Sequence, residues 1–161
     1  MNRKNILVTG GAGFIGSNLL IKFVKKYPEY NFFNIDSLTY AADLNNLSEI
    51  EKYENYFFFN LNISSQESIN KIFKKYNIDS VIHLAAESHV DNSIENPNEF
   101  ALTNVLGTLN LLNCAIKNWN SFKDKLFYHV STDEVFGTLD NNGFFKENTP
   151  YDPRSPYSAS K

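Results

Sequence analysis

The stretch VTGGAGFIGSN, residues 8–18, constrains the fold of this chain more than any other. It sets Gly10, Gly13 and Gly16 three residues apart, after the apolar run KNILVT (4–9) and at the head of a segment where Ile15, Leu19, Leu20, Phe23, Val24 and Tyr27 recur at helical spacing. The run reads as a buried strand and the segment as a helix with one apolar face. Glycine at three regular positions between them answers three steric demands: a tight turn, close approach of a phosphate to bare backbone, and close packing of helix on strand. The helix then points free N–H groups and its positive dipole end at an anion, so a pyrophosphate can be held without a lysine in the loop. Asp36 closes the next apolar run, NFFNID (31–36), 20 residues after Gly16, where a carboxylate can accept hydrogen bonds from a ribose diol. An acid there repels a 2'-phosphate, and no Arg or Lys follows before Lys52, so the pattern predicts NAD rather than NADP.

Three further apolar runs, YFFFNL (56–61), SVIHLA (80–85) and LFYHVS (126–131), alternate with helical segments. Such alternation predicts an α/β fold, a doubly wound parallel sheet with helices on both faces. One helix is expected from SSQE, where Ser64 and Glu67 have capping-box spacing, burying Ile69, Ile72, Phe73 and Tyr76. Another is expected from NPNEF, with Asn96 as cap, Pro97 at the first helical position and Glu99 reaching back. Leu102, Val105, Leu106, Leu109, Leu112, Ile116 and Trp119 then share one face of it.

At 161 residues and 42% hydrophobic, the chain can build one core of ordinary domain size. No internal repeat, Pro-rich linker or single-sign charge block interrupts it. Its 18 acids and 15 bases are spread along the length, so no basic stripe forms, and neither nucleic acid nor a membrane is expected as a partner. The single cysteine, Cys114, rules out a disulfide framework and a zinc cluster within the chain, and no metal is expected. The apolar run at the N-terminus is far shorter than a signal-peptide core of roughly 7 to 15 residues, so a reducing, cytoplasmic location is predicted.

The stretch STDEVFG (131–137) sets Asp133 and Glu134 side by side directly after the last apolar run. Adjacent strand residues point to opposite faces, so the backbone must leave β geometry for both acids to reach one substrate. Two carboxyls held close raise one of their pKa values, which suits one to donate a proton while the other accepts. Tyr157 and Lys161 stand one helical turn apart and can face one site. A tyrosine with a pKa of about 10 is a poor base at neutral pH unless a cation such as an ammonium stabilises its phenolate.

Taken together, ILVTGGAGFIGSN, HLAAESHVDNSI, TNVLGTLNLL, STDEVFG and SPYSASK resemble the extended short-chain dehydrogenase/reductase family and, within it, the nucleotide-diphosphoglucose 4,6-dehydratases. The resemblance covers nearly the whole chain; the glycine turn and Tyr-x-x-x-Lys mark the superfamily, and AAESHVDNSI with STDEV is narrower. It implies a Rossmann-like fold and a nucleotide-diphosphoglucose substrate, dTDP-glucose or UDP-glucose. In that family the tyrosine matched by Tyr157, paired with Lys161, takes the C4 hydroxyl proton while hydride passes to NAD. The new ketone acidifies C5; Glu134 matches the base that removes that proton, Asp133 the acid that protonates the departing C6 hydroxyl, and hydride returns to C6.

The same resemblance matches Thr132 to the group that hydrogen-bonds the C4 oxygen and Ser88 to a substrate and cofactor contact. It sets Leu84, Ala85 and Ala86 under the nicotinamide ribose, and adds Phe14, Ile15, Ser37, Leu38, Thr39, Asn62, Ile63 and Thr103 as cofactor positions. His83 and His129, among apolar neighbours, read as core or strand histidines, and His89 is a weaker site candidate. Three positions depart from the family pattern: Asn62 stands for a usual Asp, Phe136 for a common Tyr, and Asn92 for a frequent Arg. None removes a reacting group. Family members form homodimers through the helix near residues 100–118 and the one carrying Tyr157. They also continue well beyond Lys161 into a substrate domain. The expectation is therefore an incomplete dehydratase: an NAD-binding domain over 1–161, lacking the substrate domain and largely inactive alone. A nucleotide-sugar 4-epimerase or decarboxylase of the same superfamily, or a non-catalytic NAD-binding protein, remain the alternatives.

Overall fold

Runs rich in Ile, Val, Phe and Tyr become parallel strands here because a crossover segment separates each from the next. The computed structural model describes residues 3–139 and 143–161. Strands β1 (Lys4–Thr9), β2 (Tyr30–Asp36), β3 (Tyr56–Asn60), β4 (Ser80–His83) and β5 (Leu126–His129) form one sheet in the order β3-β2-β1-β4-β5, every pairing parallel. The order reverses at β1. Such a switch point, at the C-terminal ends of the strands, is where doubly wound sheets take ligands.

Both faces of β1 are covered. Leu7 joins a core with Phe33, Ile69, Phe73, Val81 and Leu111, whereas Ile6 and Val8 join Leu20, Val24, Phe32 and Ile50 on the other side. Helix α1 (Phe14–Lys26) supplies Leu20 and Val24 to the second core, and α2 (Gln66–Tyr76) supplies Ile69, Ile72 and Phe73 to the first. The parallel α/β sheet expected from the alternation, Rossmann-like as the resemblance implies, is the fold observed. The first strand begins and ends where its sequence placed it. β4 and β5 each stop two residues early, at His83 and His129, although Leu84 N–H still donates to the Thr9 carbonyl (3.1 Å) and Val130 N–H to the His83 carbonyl (3.1 Å).

Two helix starts differ from expectation. The Ser64–Glu67 box does not form: α2 starts at Gln66 with Ser65 at the cap, Ser64 N–H donates to Asn62 Oδ1 (2.8 Å), and Glu67 pairs with Lys71 one turn on (2.7 Å). Asn96 and Pro97 do stand at the cap and first position of α4 (Pro97–Phe100), which follows α3 (Val90–Glu95), but no side-chain cap bond is made. The winding then widens to a π-helix over Ala101–Gly107 before α5 (Thr108–Asn118). Leu102, Val105, Leu106, Leu109, Leu112 and Ile116 all face outward, while Asn104, Leu111, Cys114 and Ala115 are buried. Gly107, at the junction with α5, lets the backbone pass close over Ile63: a Cβ there would lie 2.6 Å from Ile63 Cδ1.

The chain divides into two compact units. Met1–Ala85 with Gly107–Val130 holds the sheet; Ala86–Leu106 with Ser131–Lys161 holds α3, α4, a 3-10 turn at Asp133–Phe136 and α6 (Pro156–Ser160). Among the described residues no helix is long and apolar enough to cross a membrane.

Candidate active site

In the sheet unit, the glycines stand where side chains have no room. Gly10 has φ +72°, and a Cβ on it would fall 2.6 Å from the Ala85 nitrogen; one on Gly16 would fall 2.2 Å from the Gly10 carbonyl oxygen. Gly13 differs: among the described residues a Cβ there would meet the Gly10 oxygen alone, at 3.4 Å, so its backbone lies open at the N-cap of α1. No side chain caps that helix and no acid occupies its first turn. The 13-residue helix thus keeps its positive end for an anion, flanked by Phe14, 83% exposed, and Ile15, 60% exposed.

Asp36 is buried at the end of β2 and ties two loops together. Its Oδ2 accepts from the Ala12 N–H (2.9 Å) and its Oδ1 from the Leu38 N–H (2.9 Å). Each carboxylate oxygen keeps a second lone pair for a ribose hydroxyl. The loop it holds carries Ser37, Leu38 at φ +55° and Thr39. Asn62, exposed, has its Oδ1 engaged by Ser64 N–H, which leaves the amide NH2 as its donor; Ile63 is buried under Gly107. Leu84 and Ala85 are half-buried just past β4. A bare backbone cradle, an uncapped helix start and a buried acid fit a dinucleotide.

The second unit gathers the proton-transfer candidates. After β5 the backbone leaves extended geometry, as the adjacency of two acids requires, and winds into the 3-10 turn Asp133–Phe136. Thr132 caps it, its Oγ1 accepting from Glu134 N–H (3.3 Å). Asp133 is exposed, Glu134 half-buried and Val135 buried as the anchor. The turn is closed from behind: Asp152 N–H donates to the Val135 carbonyl (3.0 Å), and Gly137, at φ +88°, passes so near that a Cβ would lie 2.7 Å from the Asp152 oxygen.

Helix α6 packs on this turn and on α3 and α4. Its start is fixed by Pro156 and by a reciprocal Ser155–Ser158 capping box. Tyr157, half-buried, meets Phe100 edge-on with ring centroids 6.3 Å apart. Lys161 follows one turn later, and burial pushes its ammonium pKa below the ordinary lysine value. Asp133, Glu134, Tyr157 and Lys161 therefore lie on two elements packed together within one unit, with Thr132 and the half-buried Thr103 in the same unit and Ser88 exposed on the loop before α3.

Sequence reading missed Asn104. It is 3% exposed; its Oδ1 accepts from Glu87 N–H (2.8 Å), and its NH2 donates to the Glu87 carbonyl (2.9 Å) and to Ser160 Oγ (2.8 Å). Ser160 in turn donates to the Tyr157 carbonyl (2.7 Å), so one amide joins the AAES loop to the helix that carries Tyr157. Its only sequence signal is a polar residue that interrupts an apolar stripe.

Parallel strand order and glycine turn together define a nucleotide-binding Rossmann unit. The chain matches the family described as GDP-mannose 4,6 dehydratase over residues 7–161 and belongs to that family. It is 49% identical over 161 residues to a probable dTDP-glucose 4,6-dehydratase of Sinorhizobium fredii, covering 97% of this chain and 45% of that protein. Among solved structures it is similar to the dTDP-glucose 4,6-dehydratase of Streptomyces venezuelae, solved with NAD bound, at a TM-score of 0.88 and 39% identity over 98% of this chain and 48% of that one. It is also similar to the UDP-Glc/GlcNAc 4-epimerase of Campylobacter jejuni, at 0.86 and 26% over 98% and 46%. The chain spans about half the length of the relatives it matches.

Proposed function

We propose that this chain binds NAD and carries the proton-transfer groups of a dTDP-glucose 4,6-dehydratase. The observation that carries the reading is the 3-10 turn bearing Asp133 and Glu134, packed within one unit against the helix bearing Tyr157 and Lys161. The fold alone does not choose a chemistry, since dehydratase and epimerase structures match it about equally well; the higher identity is to the dehydratases. The adjacent acid pair favours dehydration, which needs an acid and a base in addition to the Tyr–Lys pair.

Gly10, Gly13 and Gly16 with the start of α1 would hold the pyrophosphate, Asp36 the adenosine ribose, and Asn62 with Ile63 the adenine. NAD, when bound, supplies a hydride acceptor that later gives the hydride back. Tyr157 takes the C4 hydroxyl proton, with the Lys161 ammonium favouring the phenolate. Thr132 holds the C4 oxygen. Glu134 removes the C5 proton made acidic by the ketone, and Asp133 delivers a proton to the C6 hydroxyl as it leaves. In this reading dTDP-glucose is the substrate, with UDP-glucose as the alternative.

The outward stripe of Leu102, Val105, Leu106, Leu109, Leu112 and Ile116 supports a homodimer through this helix. The one cysteine, Cys114, is buried and free, which accords with a reducing, cytoplasmic setting. The reading is tested in deuterated water with NAD and dTDP-glucose, on a protein that carries this chain at the full length of its relatives. The expected product is the 4-keto-6-deoxy sugar with solvent deuterium at C5. Glu134→Gln should leave NADH formation intact and slow C5 exchange by at least about a hundredfold. Inversion at C4 without exchange would instead make the chain an epimerase.

A further inference from the structure

Beneath the crossing of Gly10 and Ala85, three side chains form a hydrogen-bonded line through the sheet unit. Thr9 and His83 are register partners on the adjacent strands β1 and β4, so their side chains share a face. Thr9 Oγ1 lies 2.7 Å from His83 Nδ1, and His83 Nε2 lies 2.9 Å from Thr108 Oγ1 in the first turn of α5. Thr9 and His83 are buried, at 0% and 1% exposure. Thr9 Oγ1 also accepts the Ala85 N–H (3.3 Å).

The roles along this line follow from the hydroxyl. Thr9 has one proton to give, and one of its lone pairs is already taken by Ala85. Its contacts are Ala85, a donor, and His83 Nδ1, so the buried hydroxyl is satisfied only by donating to Nδ1. The imidazole then carries its proton on Nε2 and donates it to Thr108. Turned the other way, with the proton on Nδ1, the ring would leave the Thr9 proton without an acceptor in the core.

Ala85 is also the residue whose backbone fills the space a Gly10 side chain would need, 2.6 Å from the ideal Cβ. The amide that Thr9 holds is therefore the one against which the first turn of the glycine loop rests. We propose that His83 is a positioning residue for the cofactor floor: its imidazole, protonated on Nε2, aligns Thr9 so that Thr9 fixes the Ala85 amide against Gly10. This role rests on the NAD reading above.

Two measurements on the 161-residue chain test it. Nitrogen-15 NMR of the histidine rings should show His83 with an unprotonated Nδ1 and a protonated Nε2; a proton on Nδ1 overturns the proposal. The second compares two amides. His83→Asn places an acceptor near the Nδ1 position and keeps the link to Thr9, whereas His83→Gln reaches the Nε2 position and abandons it. At equal folded fraction by circular dichroism, calorimetry should give His83→Asn an NAD affinity within about twofold of the parent and His83→Gln one at least about tenfold weaker. A merely structural histidine predicts equal losses, and equal losses would overturn the positioning role. Should either variant fail to fold, Thr9→Val, close in shape, must weaken NAD similarly and Thr9→Ser must restore it; unchanged binding in Thr9→Val overturns the role as well. A parent chain that binds no NAD removes the cofactor reading and the role of Ala85 with it, while the ring shifts still decide the tautomer separately.

Discussion

Two turns follow two parallel strands in this chain, and they are built in opposite ways. The turn after β1 is made of backbone: glycines at 10, 13 and 16, no side-chain cap, and a 13-residue helix whose first N–H groups are left for a ligand. The turn after β5 is made of side chains: Thr132 caps it, Asp133 and Glu134 open it, and it is one short 3-10 turn. A bound diphosphate is recognised by dipoles that belong to every residue, so the sequence there must remove side chains that would keep it away. The proposed proton transfer would need particular oxygens, which carboxyls supply on a backbone held from another segment, here by the Asp152 N–H on the Val135 carbonyl. Glycine appears in both turns for that reason but with different partners: Gly16 faces its own loop, and Gly137 faces Asp152.

That contrast can be broken by substitution. Gly16→Ala, whose methyl would meet the backbone of Gly10 and Gly11 at 2.2 and 2.6 Å, should cost about 3 kcal/mol in urea unfolding and abolish NAD binding. A stable variant with normal affinity would show that the loop yields more readily than its packing implies. Gly137→Ala should cost about 2 kcal/mol through the positive φ and the Asp152 carbonyl, yet leave NAD affinity unchanged if the two turns serve separate tasks. Thr132→Ala removes a cap and should lower stability by about 1 kcal/mol, with Thr132→Ser close to the parent in the same melt. The smallest effect is expected at Glu87. Burial first, and then nearby Glu99, raises the pKa of its carboxyl. The folded state thus keeps that proton to higher pH than the unfolded chain, and its stabilising contribution is present at low pH and lost as pH rises through the folded value. Glu87→Gln should match the parent in acid and be slightly more stable above the ordinary glutamate range; melts at a series of pH values read the difference.

Most of the sheet was legible because its code is local. Ile6, Leu7 and Val8 are apolar on both faces, the mark of a central parallel strand, and β1 was placed to the residue. Gly10 and Gly16 were legible because the packing of that turn leaves no room for a side chain at either position. Helix starts were less so: Ser64 and Glu67 had the right spacing, but Asn62 captured the Ser64 amide first. The π winding at Ala101–Gly107 has no residue signature, and nothing local announced that Leu109 and Ile116 would face outward while Asn104 turned in. Asn104 was unreadable for a further reason: its partners, Glu87 and Ser160, lie 17 and 56 residues away. The packing of the Asp133–Phe136 turn on α6 has no signal in the turn's own four residues, because it joins segments about 20 residues apart.

The strand order carries a consequence for how such a chain comes to be. β1 lies between β2 and β4, and Thr9 meets His83 across a separation of 74 residues. On a ribosome, Leu7 and Val8 are therefore extruded long before the strand that covers one of their edges exists. During that interval they present a sticky, half-finished ribbon, and a nascent chain of this design has every reason to engage a chaperone until β4 emerges.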